Sequence, residues 1–165
     1  MADGPVNNKR ILIVIGDPAL DDVEQSTSLR SRFTTILRHA LGSWSISDIY
    51  FTAQDAGPER WLAEFLRALN ATYAVREFPK GRFEFGPMRN NRMVAAIQTE
   101  LDEGARAMVL YFQGPLLGTS STQDLARKCE SIKVKVITLS WNPKDEESVA
   151  HVSVALPQQI LASTA

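Results

Sequence analysis

Basic and aromatic side chains are concentrated in one part of this sequence. Between Arg76 and Arg92, five basic and two acidic residues give a local charge of +3, in a chain whose net charge is −1. Phe83 and Phe85 stand among them. Because guanidinium groups bind phosphate oxygens and aromatic rings pack against bases, this composition suits a phosphate or a nucleotide. The alternative is a solvated loop with its two phenylalanines tucked into the core.

A second candidate site follows the apolar run 107–112. Gly114 and Gly118 would let the backbone approach a ligand closely, and Thr119 and Ser120 open a predicted helix. The first N–H groups of a helix bind anions, but they are equally often capped by a neighbouring hydroxyl. Both interpretations use the same groups, so both stay open at this point.

Carboxylates follow the first apolar run, 11–15. Gly16 and Asp17 come directly after it, and Asp22 stands a few residues further on. Such carboxylates could hold Mg²⁺ or a ribose hydroxyl, although more commonly they cap the next helix. His39 and His151 have no partner at metal-ligand spacing. We therefore expect no metal site and no cofactor.

Several classes of protein are excluded or disfavoured by the sequence. It contains no G-x-G-x-x-G fingerprint, no phosphate-binding Gly-Lys-Ser/Thr and no Gly-x-Ser-x-Gly elbow. A net charge of −1 argues against a general electrostatic grip on duplex nucleic acid or on a membrane. The single cysteine, Cys129, favours a reducing compartment, and no apolar run has the length of a signal or membrane segment. We expect a cytoplasmic protein.

Short apolar runs alternate with stretches of helical spacing along the chain. The runs 11–15, 46–51, 73–78, 107–112 and 134–139 predict strands. Helices are predicted between them, the first ending at Gly42 and the second beginning at Pro58. This alternation predicts a three-layer α/β fold whose mostly parallel five-stranded sheet has helices on both faces. The run 152–156 is a candidate sixth strand.

The predicted sheet brings four loops to one edge. In parallel sheets the ligand lies beyond the carboxyl ends of the strands, which selects the loops 16–22, 52–59, 78–90 and 113–119. We expect Asn90 to cap the third helix, with Arg89 in the loop just before it. That position would suit phosphate, or else Arg89 would be a structural residue paired with Glu84 or Asp55.

Two of these loops together resemble a known superfamily. Residues 86–93, GPMRNNRM, resemble the G-P-x-R-N-x-x-M motif of the SLOG superfamily, in particular its YspA/YpsA-like branch. Gly118 and Thr119, opening a helix, resemble the second motif of that branch. The resemblance covers about residues 10–139. It implies a Rossmann-like fold with a nucleotide-type site at these loops, as in LOG-type phosphoribohydrolases and the DNA-processing protein DprA.

The chain departs from the enzymes of this superfamily at one informative place. LOG-type enzymes carry acidic residues two and three positions after the threonine of their Gly-Thr step, where this chain has Ser121 and Thr122. The carboxylate that would stabilise a ribosyl cation is therefore missing. Binding is favoured over hydrolysis; for an enzyme, the candidate acids would be Asp124 and Glu59, with Asp55 as a third.

The sequence thus predicts a protein that binds a nucleotide or an ADP-ribose-like molecule, as a sensor, a sequestering protein or a carrier. The alternatives are an N-glycosidase acting on a nucleoside monophosphate and a DprA-like module that binds single-stranded DNA. We expect a homo-oligomer with a flexible tail at 1–9, a nucleotide-binding domain at 10–142 and an extension at 143–165. The predicted ligand-binding residues are Gly16, Asp17, Gly86, Arg89, Asn90, Arg92, Gly114, Gly118, Thr119 and Ser120.

Overall fold

Five parallel strands form one sheet in the computed structural model, which describes residues 8–21, 26–54, 56–69, 73–114 and 120–140. Their order in the sheet is β3-β2-β1-β4-β5, and every neighbouring pair is parallel. The predicted α/β architecture with a parallel five-stranded sheet is confirmed. The strands are β1 (Arg10–Gly16), β2 (Asp48–Phe51), β3 (Ala74–Glu77), β4 (Arg106–Gln113) and β5 (Lys135–Ser140).

Helices cover both faces of this sheet. Two of them, α1 and α2, pack on one face, and α3 and α4 pack on the other, so that two separate apolar cores lie above and below the strands. A single 3₁₀ turn, Pro18–Asp21, follows β1. The helices are α1 (Ser26–Ser43), α2 (Pro58–Leu69), α3 (Gly86–Asp102) and α4 (Ser120–Ser131).

The central strand explains the long apolar run near the start of the chain. Ile11, Ile13 and Ile15 pack under α3 and α4, whereas Leu12 and Val14 pack under α1 and α2. A strand covered on both faces is apolar at every position rather than at alternate ones. β1 pairs with β2 on one side and with β4 on the other, which places the switch in strand order between β1 and β4.

Two predicted helix ends are wrong. The first helix continues through Gly42 to Ser43, and the left-handed residue that follows it is Ser45, with φ of 50°. The third helix begins at Gly86 rather than at Asn90. A proline in the first turn suits a helix start, because its missing N–H has no partner there anyway. Arg89 and Asn90 are consequently helical residues, and Asn90 is not the cap.

Parts of the sequence predictions fall outside the described residues. These are the N-terminal tail up to residue 7, Asp22, Asp55, the loop 115–119 with Gly118 and Thr119, and the candidate strand 152–156 with the C-terminal extension. Among the helices that the structure describes, none is long and apolar enough to cross a bilayer.

Candidate functional site at the carboxyl edge of the sheet

The N-terminal turns of α3 and α4 touch each other beside the carboxyl edge of the sheet. A methyl group placed on Gly86 would lie 2.6 Å from Ser121 Oγ and 3.1 Å from Ser121 Cβ. Any side chain at position 86 would therefore force Ser121 to shift. Because the start of a helix carries a partial positive charge, the contact brings two such charges to one place.

No hydrogen-bonding side chain occupies the N-cap position of α3. That residue is Phe85, with φ of −80° and ψ of 157°, and its ring caps nothing. Its carbonyl oxygen accepts the N–H of Arg89 at 3.1 Å, which closes the first helical turn. Because Pro87 has no N–H, the groups that such a helix start leaves for an external acceptor are the N–H groups of Gly86 and Met88.

Arg89 lies almost entirely buried behind this helix start, with 5% of its surface exposed. Its Nε donates to Asn90 Oδ1 at 2.9 Å, Nη2 donates to Ser121 Oγ at 3.2 Å and Nη1 approaches the Phe78 carbonyl oxygen at 3.4 Å. A guanidinium has five N–H groups, so these three bonds to described residues do not use its full donor capacity. Burial lowers the pKa of Arg89, and the charges of Glu59 and Glu84 oppose that effect.

Asn90 extends these contacts into a polar network between α3 and α4. Its Nδ2 donates to the Ser121 carbonyl oxygen at 2.8 Å and to Asp124 Oδ2 at 3.1 Å. Lys128 Nζ lies 2.6 Å from the same Asp124 oxygen. Burial raises the pKa of Asp124, but the bonds from Lys128 and Asn90 outweigh it and hold that pKa below its usual value. The Asp124 carboxylate is therefore ionised and engaged.

A separate carboxylate lies at the switch in strand order. Asp17 follows β1 and is 2% exposed; its Oδ1 accepts the N–H of Ala19 at 3.0 Å, so it caps the 3₁₀ turn as the commoner interpretation of the sequence expects. Its Oδ2 is turned to Gly114, after β4, where a methyl group would lie 2.5 Å from that oxygen. Within the described part of the chain, no group donates a hydrogen bond to Oδ2.

Glu59 is a second buried carboxylate at this edge, at the start of α2. Its Oε1 accepts both the N–H and the hydroxyl of Thr52 at 2.6 Å, and its Oε2 accepts Gln54 Nε2 at 2.9 Å. Burial raises the pKa of Glu59, and the bonds from Thr52 and Gln54 and the charge of Arg89 oppose the shift. The side chain has no exposed surface. It ties the loop after β2 to α2.

The β3–α3 loop (residues 78–85) is tied to α3 by an ion pair. Arg92 donates to both oxygens of Glu84, at 2.9 and 3.2 Å, and to the Pro79 carbonyl oxygen at 2.8 Å. Glu84 also accepts the N–H of Gly81 at 2.9 Å. Hydrogen bonding to Arg92 is the main reason why the pKa of Glu84 falls to about 2. Arg92 is thus committed to the loop rather than to the helix start.

The same loop displays its aromatic side chains to solvent. Phe83 is 86% exposed and Phe85 is 74% exposed, so the alternative in which both are tucked into the core is wrong. The guanidinium of Arg82 lies 5.3 Å from the centre of the Phe83 ring. Met88, in the first turn of α3, is 54% exposed.

The structure brings together some of the predicted site residues and separates others. Gly86, Arg89 and Asn90 converge with α4, and Gly16, Asp17 and Gly114 meet at the switch in strand order, whereas Arg92 points to Glu84. The suggested pairing of Arg89 with Glu84 is replaced by that of Arg92. Ser120 is the first residue of α4.

Sequence reasoning missed two structural features of this edge. It did not identify Ser121 as the acceptor for Arg89, because nothing in the order of residues shows which helix packs against which. It also missed Phe85 as the N-cap of α3. Here a signal was available, since Pro87 favours a helix start one or two residues before it.

No protein-family model matches the chain, and no curated protein sequence matches it either. The described residues also contain no group of three His, Cys, Asp or Glu side chains placed to hold a metal ion.

Proposed function

We propose that the chain binds a nucleotide or a nucleotide-derived molecule of the ADP-ribose kind at the carboxyl edge of its sheet. As a binding protein it would act as a sensor, a sequestering protein or a carrier. The phosphate lies at the joined N-termini of α3 and α4, and the ribose lies toward the switch in strand order.

One observation carries this proposal: an uncapped helix start, a second helix start in contact with it and a buried guanidinium all lie together. Phe85 supplies no cap, Gly86 touches Ser121, and Arg89 adds a full positive charge behind them. Each of these elements favours an anion, and burial strengthens the effect of the charge. A phosphate group matches this combination because it offers several acceptor oxygens.

The oxygen of Asp17 that faces Gly114 supports the placement of the ribose. A carboxylate oxygen without a donor accepts a sugar hydroxyl readily. It lies beside the switch between β1 and β4, where open α/β sheets bind their ligands. The resemblance of residues 86–93 to the SLOG motif implies the same class of ligand.

The two candidate acids in the described part of the chain, Asp124 and Glu59, are both engaged by internal partners. This favours binding over the N-glycosidase alternative. Asp124 is held ionised by Lys128 and Asn90, which does not suit a general acid. Both carboxylate oxygens of Glu59 accept hydrogen bonds, from Thr52 and Gln54, and the side chain has no exposed surface. A reacting sugar would have to displace these internal partners before either carboxylate could act.

Replacing the N-cap residue tests the proposal. Phe85→Asp places a carboxylate where it caps α3 from within and repels an incoming phosphate. An N-cap residue of this type stabilises a helix by about 0.5–2 kcal/mol, so the melting temperature should stay the same or rise. Calorimetric titration with AMP, ADP-ribose and ribose 5-phosphate should show a loss of at least about tenfold in affinity, equivalent to about 1.4 kcal/mol.

Phe83→Asp is the matched control, because it makes the same change in charge and size on the same loop, away from the helix start. It should lower affinity for all three ligands less than threefold. If the wild-type chain binds none of them, the proposal fails. It also fails if the two variants weaken binding equally, because the loop charge and not the helix start would then be responsible.

A further inference from the structure

The exposed apolar side chains at the start of α3 have no function in the site as described so far. Phe85 is the N-cap of α3, and Met88 lies three residues further on, in the first helical turn. They are 74% and 54% exposed. Exposed surface of this kind gains free energy when a ligand covers it, at about 25 cal/mol per Å².

The loop that carries Phe85 is tied to α3 by an ion pair and is closed by hydrogen bonds of its own. Glu84 is fixed by Arg92 and by the N–H of Gly81, and the N–H of Glu84 donates back to the Gly81 carbonyl oxygen at 3.1 Å. These bonds order the backbone beside Phe85, and an ordered backbone lowers the entropy cost of binding.

We infer that Phe85 and Met88 hold a heteroaromatic base, so that the ligand of this site is a complete nucleotide rather than a sugar phosphate. This inference rests on the proposed function, because it takes the phosphate to lie at the adjoining helix start. The ring stacks on Phe85, and the flexible thioether of Met88 packs against its edge. The base thereby covers the two exposed side chains.

Two features favour a base over a protein partner at these side chains. A stable protein interface buries about 800 Å² on each partner, whereas Phe85 and Met88 offer an area close to that of one aromatic ring system. They also adjoin the start of α3 directly, since Phe85 is its N-cap and Met88 lies in its first turn. Phe83 is less suited to stacking, because the guanidinium of Arg82 already lies over its ring.

A pair of ligands separates the base from the phosphate. AMP and ribose 5-phosphate share the sugar and the phosphate, and they differ in the adenine. Calorimetric titration of the wild-type chain should show tighter binding of AMP. In Phe85→Ala the affinity for AMP should fall about 5- to 150-fold, the range measured for loss of one base–aromatic stack. The affinity for ribose 5-phosphate should change less than twofold.

Two further variants serve as controls for the role of the Phe85 ring. Phe83→Ala removes a ring of the same size from the same loop and should leave the ratio of the two affinities unchanged. Phe85→Trp retains a stacking ring and should restore binding of AMP. Equal binding of AMP and ribose 5-phosphate by the wild-type chain would overturn the inference while leaving the phosphate site intact. An unchanged ratio of the two affinities in Phe85→Ala would have the same consequence. If the wild-type chain binds neither AMP nor ribose 5-phosphate, the stacking is overturned; if it does not bind ADP-ribose either, the proposed function is overturned as well.

Discussion

Removing Arg89 should destabilise the fold far more than removing any surface arginine. Arg89→Ala leaves Ser121 Oγ, Asn90 Oδ1 and the Phe78 carbonyl oxygen without their donor. It also removes a positive charge that favours the ionised form of the buried Glu59 and so lowers the pKa of that carboxyl. Removing a buried charged side chain and its hydrogen bonds lowers the free energy of unfolding by about 3–5 kcal/mol. For a chain of this length, that lowers the melting temperature by about 6–20 °C.

Arg92→Ala is the matched control, because Arg92 is one turn away on the same helix. Its side chain is 48% exposed and pairs with Glu84 on the surface. An exposed ion pair contributes about 0–1 kcal/mol. Urea denaturation of the wild type and the two variants, followed by circular dichroism, gives the three free energies of unfolding. If Arg89→Ala costs no more than Arg92→Ala, the buried network does not join α3 to α4 as described.

This result also determines how ligand binding by Arg89 variants is interpreted. Because Arg89 has a structural role, a loss of affinity in Arg89→Ala would not by itself show contact with phosphate. Arg89→Lys is informative here. It keeps the charge but not the fork of donors, so part of the network should be lost while attraction to an anion persists.

Two further predictions concern the close helix contact and the buried carboxylate. Gly86→Ala should destabilise the fold by about 1–3 kcal/mol, because its methyl group would overlap Ser121. Gly42→Ala is the control: nothing lies within 4 Å of its new methyl group, so it should be neutral or stabilising. Equal thermal stabilities of the two variants would contradict the contact between Gly86 and Ser121. Glu59→Gln should gain stability relative to the wild type as the pH rises above 4.5, the usual pKa of glutamate. A raised pKa in the folded state stabilises the fold only while the group stays protonated, and that contribution is lost at higher pH. Urea titrations at pH 5 and pH 8 measure this difference, and a constant difference would show that the pKa of Glu59 is not raised.

The sheet could be predicted from the sequence because each strand corresponds to a short apolar run that is recognisable locally. The run 11–15 is apolar at every position, which marks a strand covered on both faces, and Pro58 marks the start of α2. Helix ends were less predictable. Gly42 carries the residue type of a helix end but lies within α1, because tertiary packing of Leu41 and Trp44 continues the helix past it.

The candidate site was predicted in position but not in its internal contacts. The motif containing Arg89 and Asn90 lies at the carboxyl edge of the sheet, where the alternation of strands and helices predicts it. The roles within it depend on which helix packs against α3, and that is a property of the fold rather than of local sequence. Arg89 therefore lies buried behind the helix start, and the exposure of Phe85 appears only once the loop conformation is known.

The order of the strands has a consequence for biosynthesis. The central strand, β1, is made first, but one of its two neighbours, β4, is made long after β2 and β3 have left the ribosome. At about 5–20 residues per second, the stretch from Glu77 to Gln113 takes about 2–7 s to synthesise. Throughout that interval the side of β1 that later pairs with β4 has no partner strand, so its backbone N–H and C=O groups are open to other strands. Chaperones that bind such edges have a target in the first strand of the sheet to be made.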